Sequence, residues 1–362
     1  MYIDIQLQGT ELEPVKKTRQ GKRSTRPTIV DVAREAKVGV MTVSRVINNY
    51  KTVRPGTYAK VMKAIAKVGY KPNDAARMLK GMRARTIGLI IPDLSDFFSS
   101  CFHAVQDVAI RHDYQTLVVA TGRSASVEEQ QLQSIGSHRI AGLILVSSGG
   151  DVRQLQALQE SGIPIVALDR PIVGLRADAV LVENREGAEA GVRHLIEHGH
   201  KKIACLGFQS GAYTVRERFE GYRQAIRTAG LEPLVYDNLN SVDAMEALIA
   251  GWPLGEERPT AVFTTKRITS ILLIQALHRL GLRTPTDLAM VGFDDFELAE
   301  TLGTPLTVVS QSPSDLARSA AELLFKQIER ASQDDPVESQ PAKIIFPATL
   351  IIRRSCGCSD SA

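Results

Sequence analysis

The 362-residue chain is poor in the features that mark several large protein classes. It holds four cysteines and one tryptophan, too few for a disulfide-framed secreted module. No run of about 18 or more apolar residues occurs, which excludes a membrane-spanning helix. Residues 1–25 lack the apolar core of a signal peptide, so a cytoplasmic location is expected. The signatures G-x-x-x-x-G-K-[ST], G-x-G-x-x-G after a strand, G-x-S-x-G and H-E-x-x-H are all missing, so neither an enzyme nor a bound cofactor is expected. Metal chemistry has little to start from. Cys101 and Cys205 sit in apolar segments and read as buried small hydrophobes. Cys356 and Cys358 form a lone Cys-x-Cys without a second pair or a nearby histidine in sequence, a poor zinc site that reads as a structural tail. His194, His198 and His200 fall at a helix end and the following turn, where they read as structural caps.

What is present is an uneven distribution of charge. Residues 1–85 hold 19 Lys and Arg against 6 Asp and Glu, a net of +13; the other 277 residues hold 25 against 34, a net of −9. A small cationic module joined to a large acidic body points to a polyanion partner for the former, either nucleic acid or a membrane surface.

Residues 1–27 are polar and basic and read as a flexible arm. From Thr28 the pattern turns helical. Thr28 and Asp31 can cap a short helix with Ile29, Val32, Ala33 and Ala36 on one face, which stops at Lys37-Val38-Gly39. A second helix from Val40 to Asn48 turns Val43, Val46 and Ile47 inward and Met41, Thr42, Ser44, Arg45 and Asn48 outward. Two short helices across a tight glycine-containing turn make a helix-turn-helix. A third helix from Pro55 to Gly69 is expected to bury Tyr58, Val61, Met62, Ile65 and Val68. Asn73 then caps a short helix reaching Lys80, marginal alone and therefore conditional on a partner.

Beyond Arg85, Val/Ile/Leu-rich runs alternate with amphipathic helices. The runs are 87–91, 116–120, 142–146, 163–168, 179–182, 203–206, 261–264, 288–292 and 306–309. Strands buried on both faces with crossover helices give parallel, doubly wound sheets, and so many of them imply two lobes with a ligand cleft between. The expected fold is thus a small all-α helix-turn-helix head plus an α/β core of two doubly wound lobes. Its expected divisions are 1–27, 28–72 (head), 73–85 (hinge helix and linker), 86–353 (core) and 354–362 (tail).

The segments Ile29-Val30-Asp31-Val32-Ala33-Arg34-Glu35-Ala36, Thr42-Val43-Ser44-Arg45-Val46-Ile47-Asn48 and Gly69-Tyr70-Lys71-Pro72-Asn73 resemble the head of the lactose/galactose repressor (LacI/GalR) family. The likeness continues through Ile87–Asp93, Ala141–Ile144, His198–Ala204, Arg218-Phe219-Glu220-Gly221-Tyr222 and Val291–Asp295, in the family's order. It implies a core similar to type I periplasmic binding proteins. It further implies a homodimeric, ligand-controlled regulator, most simply a repressor, on a pseudo-palindromic double-stranded DNA operator.

Carried over position by position, the resemblance assigns base reading to Val40, Met41 and Arg45 and further DNA contacts to Thr28, Ile29, Thr42, Ser44, Asn48, Thr57 and Tyr70. Arg45 can donate two hydrogen bonds to guanine, whereas Val40 and Met41 offer only apolar contact. Asn73 and Ala76 belong to the family's hinge helix, and Leu79 falls where the family inserts a wedge into the minor groove. Gly39 departs from the usual Ser or Thr.

The effector contacts implied are Asp96, Phe97, Phe98, Asp169, Arg170, Arg218, Leu239 and Asp294. After Thr264-Thr265 the chain carries Lys266-Arg267 where sugar-responsive members carry Asn or Thr and then Asp. Two cations beside a helix N-terminus favour an anion, which points to a sugar acid or sugar phosphate as effector.

Overall fold

The computed structural model describes residues 27–47, 53–70, 85–137, 140–208, 211–253, 255–332 and 340–358. The chain divides into two compact units, Met1–Met82 and Arg83–Ala362.

In the first unit, α1 (Ile29–Ala36), α2 (Val40–Ile47) and α3 (Pro55–Val68) surround a small core of Val32, Ala33, Ala36, Val43, Val46, Val61 and Ala64. The Asp31 carboxylate accepts hydrogen bonds from the backbone N–H and the hydroxyl of Thr28, at 2.9 and 2.7 Å, and so fixes the start of α1. Those bonds, helped by Arg34, hold the Asp31 carboxyl below its usual pKa. Lys37 adopts a left-handed conformation (φ 50°), closing α1 and turning the chain into α2. Lys67 reaches back to Glu35 at 2.7 Å and ties α3 to α1. One expectation fails here: Tyr58 and Met62 are 40% and 43% exposed. The buried stripe of α3 runs instead through Val61 and Ala64, with Ile65 packed beside it, because α1 and α2 are small enough to cover only that narrow face.

The second unit carries two six-stranded sheets. The first has the order β11-β5-β4-β3-β1-β2, formed by β1 (Thr86–Ile91), β2 (Gln115–Ala120), β3 (Gly142–Leu145), β4 (Ile165–Leu168), β5 (Asp178–Val182) and β11 (Lys343–Phe346). All its pairings are parallel. On one face lie α4 (Asp96–Arg111) and α11 (Pro313–Ser332); on the other lie α5 (Ala125–Ser137) and α6 (Arg153–Glu160).

The second sheet has the order β12-β10-β9-β8-β6-β7, formed by β6 (Ile203–Leu206), β7 (Leu234–Tyr236), β8 (Ala261–Thr264), β9 (Ala289–Phe293), β10 (Thr307–Ser310) and the antiparallel edge strand β12 (Thr349–Ile351). It is flanked by α7 (Asn184–Glu197) and α8 (Tyr213–Thr228) on one face and by α9 (Val242–Ala250) and α10 (Arg267–Arg279) on the other. The chain passes between the lobes three times, after β5, after β10 and after β11. In each sheet the strand order reverses direction beside the first strand, β1 or β6, and such switch points open crevices at the carboxyl ends of the strands.

All nine expected strands form. β7, β11 and β12 were not anticipated: they are three or four residues long and only partly covered, so none presents an apolar run. The Cys-x-Cys, expected as a structural tail, packs into the second lobe. Ser355 and Cys356 are buried in the second lobe, where the Ser355 hydroxyl donates to the Met290 carbonyl at 2.6 Å and accepts from the Thr307 N–H at 2.7 Å. His194 and His198, about 160 residues away in sequence, lie beside the cysteine pair.

Candidate functional site

The head presents one set of candidate residues. Val40 and Met41 open α2 and are 42% and 69% exposed, so both side chains are available for apolar contact. Arg45 is exposed one turn later, while Thr42 and Ser44 are half-buried. Thr28 is exposed; Ile29 and Tyr70 pack against the head core, and Thr57 is half-buried at the start of α3. Asn48, Asn73, Ala76 and Leu79 lie outside the described residues. The Gly39 carbonyl accepts from the N–H groups of Thr42 and Val43 at 2.9 and 3.2 Å, which makes Gly39 the residue before α2. A side chain there would meet only the Thr42 hydroxyl, 4.0 Å from its Cβ.

The second set converges in the core, on a cleft of about 420 Å³ between the lobes. The first lobe supplies Asp96, Phe97 and Phe98 after β1, Arg123 after β2, and Asp169 and Arg170 after β4. From the second lobe come Thr214 and Arg218 on α8, Lys266 and Arg267 at the start of α10, and Asp294 after β9. Gln311 joins them from the connection after β10. Eight of the expected effector residues therefore come together with Lys266 making nine. Leu239 does not join them: it is buried in the core between β6 and α9, where an apolar chain gains more from packing than from facing a polar cleft. Phe98 is nearly buried, edge-on to Phe97 at 5.0 Å, so the pair forms an apolar wall anchored in the first lobe's core.

The charges in the cleft are organised. Arg170 pairs with Asp169 at 2.9 Å. Arg218, 3% exposed, donates to Asn184 at 2.8 Å, to the Thr265 carbonyl at 2.8 Å and to Asp294 at 3.0 Å, while its guanidinium stacks 3.7 Å from the Phe293 ring centroid. Gln311 donates to the other Asp294 oxygen at 2.6 Å. Asp294 is thus aimed by two donors from two elements. Asp169 and Asp294 both adopt left-handed backbone at strand ends, with φ 68° and 74°, a strain of about 1–3 kcal/mol that persists where surrounding structure enforces it and that clusters at ligand sites. Arg267 of the second lobe forms an ion pair with Asp96 of the first, closing one side of the cleft.

Lys266 lies over the Phe208 ring at 5.8 Å. Burial, followed by the positive fields of Arg123 and Arg218, lowers its pKa to about 8; Asp294 offsets this only in part. The ammonium is therefore held where negative charge would relieve it. The cleft has acceptors for hydroxyl groups, an aromatic wall and, among the described residues, five cations matched by five carboxylates, with Arg123, Arg170, Arg218 and Arg267 each paired to an aspartate; the cysteine–histidine cluster lies elsewhere, on the second lobe.

Arg123, Asn184, Thr214 and Gln311 were not expected from sequence. Arg123 follows β2 by three residues, a strand-end position of the kind where α/β sheets bind ligands. Asn184 and Gln311 stand at lobe crossings and carry no local signal.

Residues 28–73 match the bacterial regulatory protein, lacI family, model, and residues 192–356 match a periplasmic binding protein-like domain. The HTH-type transcriptional repressor PurR of Vibrio vulnificus is 32% identical over 331 residues, covering 89% of this chain and 98% of that protein. The chain belongs to the LacI family. A second LacI family relative, the ribose operon repressor of Halalkalibacterium halodurans, is 33% identical over 325 residues, covering 89% of this chain and 96% of its own. Among solved structures, the complex of the transcriptional regulator CelR with cellobiose shares 29% identity with a TM-score of 0.63, covering 91% of this chain and all of that one. As a LacI family member the chain is a DNA-binding transcription regulator and not an enzyme. Among its described residues no helix is long and apolar enough to cross a membrane.

Proposed function

We propose that this LacI family regulator represses transcription as a homodimer on a pseudo-palindromic operator, under the control of an anionic sugar derivative, a sugar acid or sugar phosphate, bound between the lobes. On the DNA side, the exposed Val40, Met41 and Arg45 at the start of α2 support apolar contact to a thymine methyl and paired hydrogen bonds to guanine. The Asn73, Ala76 and Leu79 hinge assignments belong to the same reading.

One observation carries the anionic effector: the Lys266 ammonium is driven toward deprotonation by burial and by Arg123 and Arg218 in the same cleft. Asp169 and Asp294, held by Arg170 and Arg218, serve the hydroxyl groups of the same ligand. Arg267 acts by joining the lobes through Asp96.

Calorimetry of the full-length protein with sugar phosphates, sugar acids and their neutral parents tests the effector class. Micromolar or tighter binding confined to anionic members is expected. Tight binding of a neutral sugar with none of the anions refutes it. Gel shifts with the same ligands test whether the cleft controls DNA affinity, since a ligand that binds both conformations equally shifts nothing.

A further inference from the structure

On the second lobe, away from the effector cleft, the last turn of α7 and the residues after β12 bring two histidines and two cysteines together. The ligand atoms of His194, Cys356 and Cys358 all lie within 4.8 Å of one another. The Cys358 sulfur is 3.6 Å from His194 Nε2 and 2.9 Å from His198 Nε2. Gly357, between the cysteines, has φ +96°, and this turn brings both sulfurs to the same histidine. The two imidazoles are 4.4 Å apart between centroids.

The orientation of these groups is enforced from outside the cluster. His198 Nδ1 is 2.8 Å from the His194 carbonyl oxygen. A carbonyl can only accept, so Nδ1 carries the proton and Nε2, facing Cys358, carries the lone pair. The Thr307 hydroxyl accepts from the Arg353 N–H at 2.9 Å and donates to the Cys356 sulfur at 3.1 Å, which fixes where that sulfur sits. Outer contacts of these kinds, a backbone carbonyl on the far imidazole nitrogen and a donor on sulfur, are those that orient metal ligands.

We propose that His194, His198, Cys356 and Cys358 form a tetrahedral zinc site that fastens the C-terminal segment to the end of α7. Two sulfurs and two imidazoles suit Zn²⁺ in a closed, structural site. Nitrogen and sulfur ligands on one tetrahedral zinc stand about 3.5 Å apart, given bond lengths of about 2.1 and 2.3 Å. The His194–Cys358 separation already has that value. His198 touches Cys358 at 2.9 Å but stands outside the closely spaced trio, so its exposed imidazole must swing away from that sulfur and toward the other ligands to complete the tetrahedron. On binding, each thiol releases its proton to solvent and the sulfur lone pair becomes the metal bond. The site does not depend on the effector reading.

The test is metal analysis of the full-length protein purified with a thiol reductant and without a histidine tag, alongside Cys358→Ser and His198→Gln. Cys358 and His198 are partly exposed ends of the cluster, so both variants retain the buried Cys356 and the fold. About one zinc per chain is expected, with zinc affinity falling roughly 10–100-fold or more in each variant. Cobalt substitution should give the intense visible bands of a tetrahedral thiolate site, and a chelator should lower the Tm of the wild type by several degrees while leaving Cys358→Ser unchanged. Zinc at background level, zinc retained undiminished in both variants, or octahedral cobalt spectra would overturn the proposal. So would a Cys356–Cys358 disulfide found by mass spectrometry in the reduced preparation.

Discussion

At Lys266 the cost of burying an ammonium and the field of neighbouring arginines act in the same direction, and the consequence is a pH dependence of known sign. The group is charged below about pH 8 and neutral above it. Affinity for an anionic effector should therefore fall as pH rises from 7 to 9, and Lys266→Met should weaken binding about 10–150-fold at pH 7 while flattening that profile, as calorimetry at three pH values would show. In the ligand-free protein the folded-state pKa lies below the ordinary 10.5, so this group makes stability rise with pH between about 8 and 10.5.

Gly39 offers a second residue-scale prediction. A side chain at this position meets open space, so Gly39→Ser should place a capping hydroxyl before α2 and raise head stability by a few tenths of a kcal/mol, measurable as a small increase in Tm. The Lys266-Arg267 pair was legible in sequence because it broke a familiar pattern at a strand end. Asn184 and Gln311 were not, because each acts only through a partner, Arg218 or Asp294, brought near by the fold. The proximity of the cysteines to the histidines is hidden in the sequence for the same reason. Their neighbours in sequence give no sign of it, and tertiary structure supplies the rest.

Between elements, α7 and α8 pack tightly together beside the effector cleft. The sequence Arg218-Phe219-Glu220-Gly221-Tyr222 divides its labour there: Arg218 faces the cleft, Phe219 is buried in the lobe core, and the Tyr222 hydroxyl donates to the Ile203 carbonyl at 2.7 Å and accepts from the Leu234 N–H at 2.8 Å. Gly221 is where the helices touch. A Cβ at that position would lie 2.2 Å from the Arg185 carbonyl oxygen and 2.8 Å from the Ala188 Cβ. Backbone cannot yield as a side chain does, so Gly221→Ala should force α7 from α8 and cost about 1–3 kcal/mol, seen as a lower midpoint in urea unfolding. Because α7 begins at Asn184, effector affinity should fall with it. The main strands were readable as apolar runs because both faces of a parallel sheet are covered; β11, half-buried in alternation at an edge, reads as part of a polar segment.

On the scale of the whole molecule, the divided charge sets how the protein meets DNA. The +13 of residues 1–85 favours phosphate contact and the −9 of the remainder opposes it. Operator affinity measured by gel shift should fall by about 10³-fold or more between roughly 50 and 200 mM salt, the response expected of six or more phosphate contacts.

The threefold passage of the chain between lobes also governs its biosynthesis. The head is encoded in one uninterrupted stretch, but the first lobe waits for α11, whose Leu316, Ala320, Leu324 and Phe325 fill its core, and for β11 at residues 343–346. The second waits for β12 and Ser355. At about 5–20 residues per second, roughly 15–55 s of translation separate a finished head from a finished core. Throughout that interval a nascent chain carries a DNA-reading head with no sensor attached. A chain ended before Lys343 would hold it in that state, and should show no cooperative core melting and no ligand response in a gel shift.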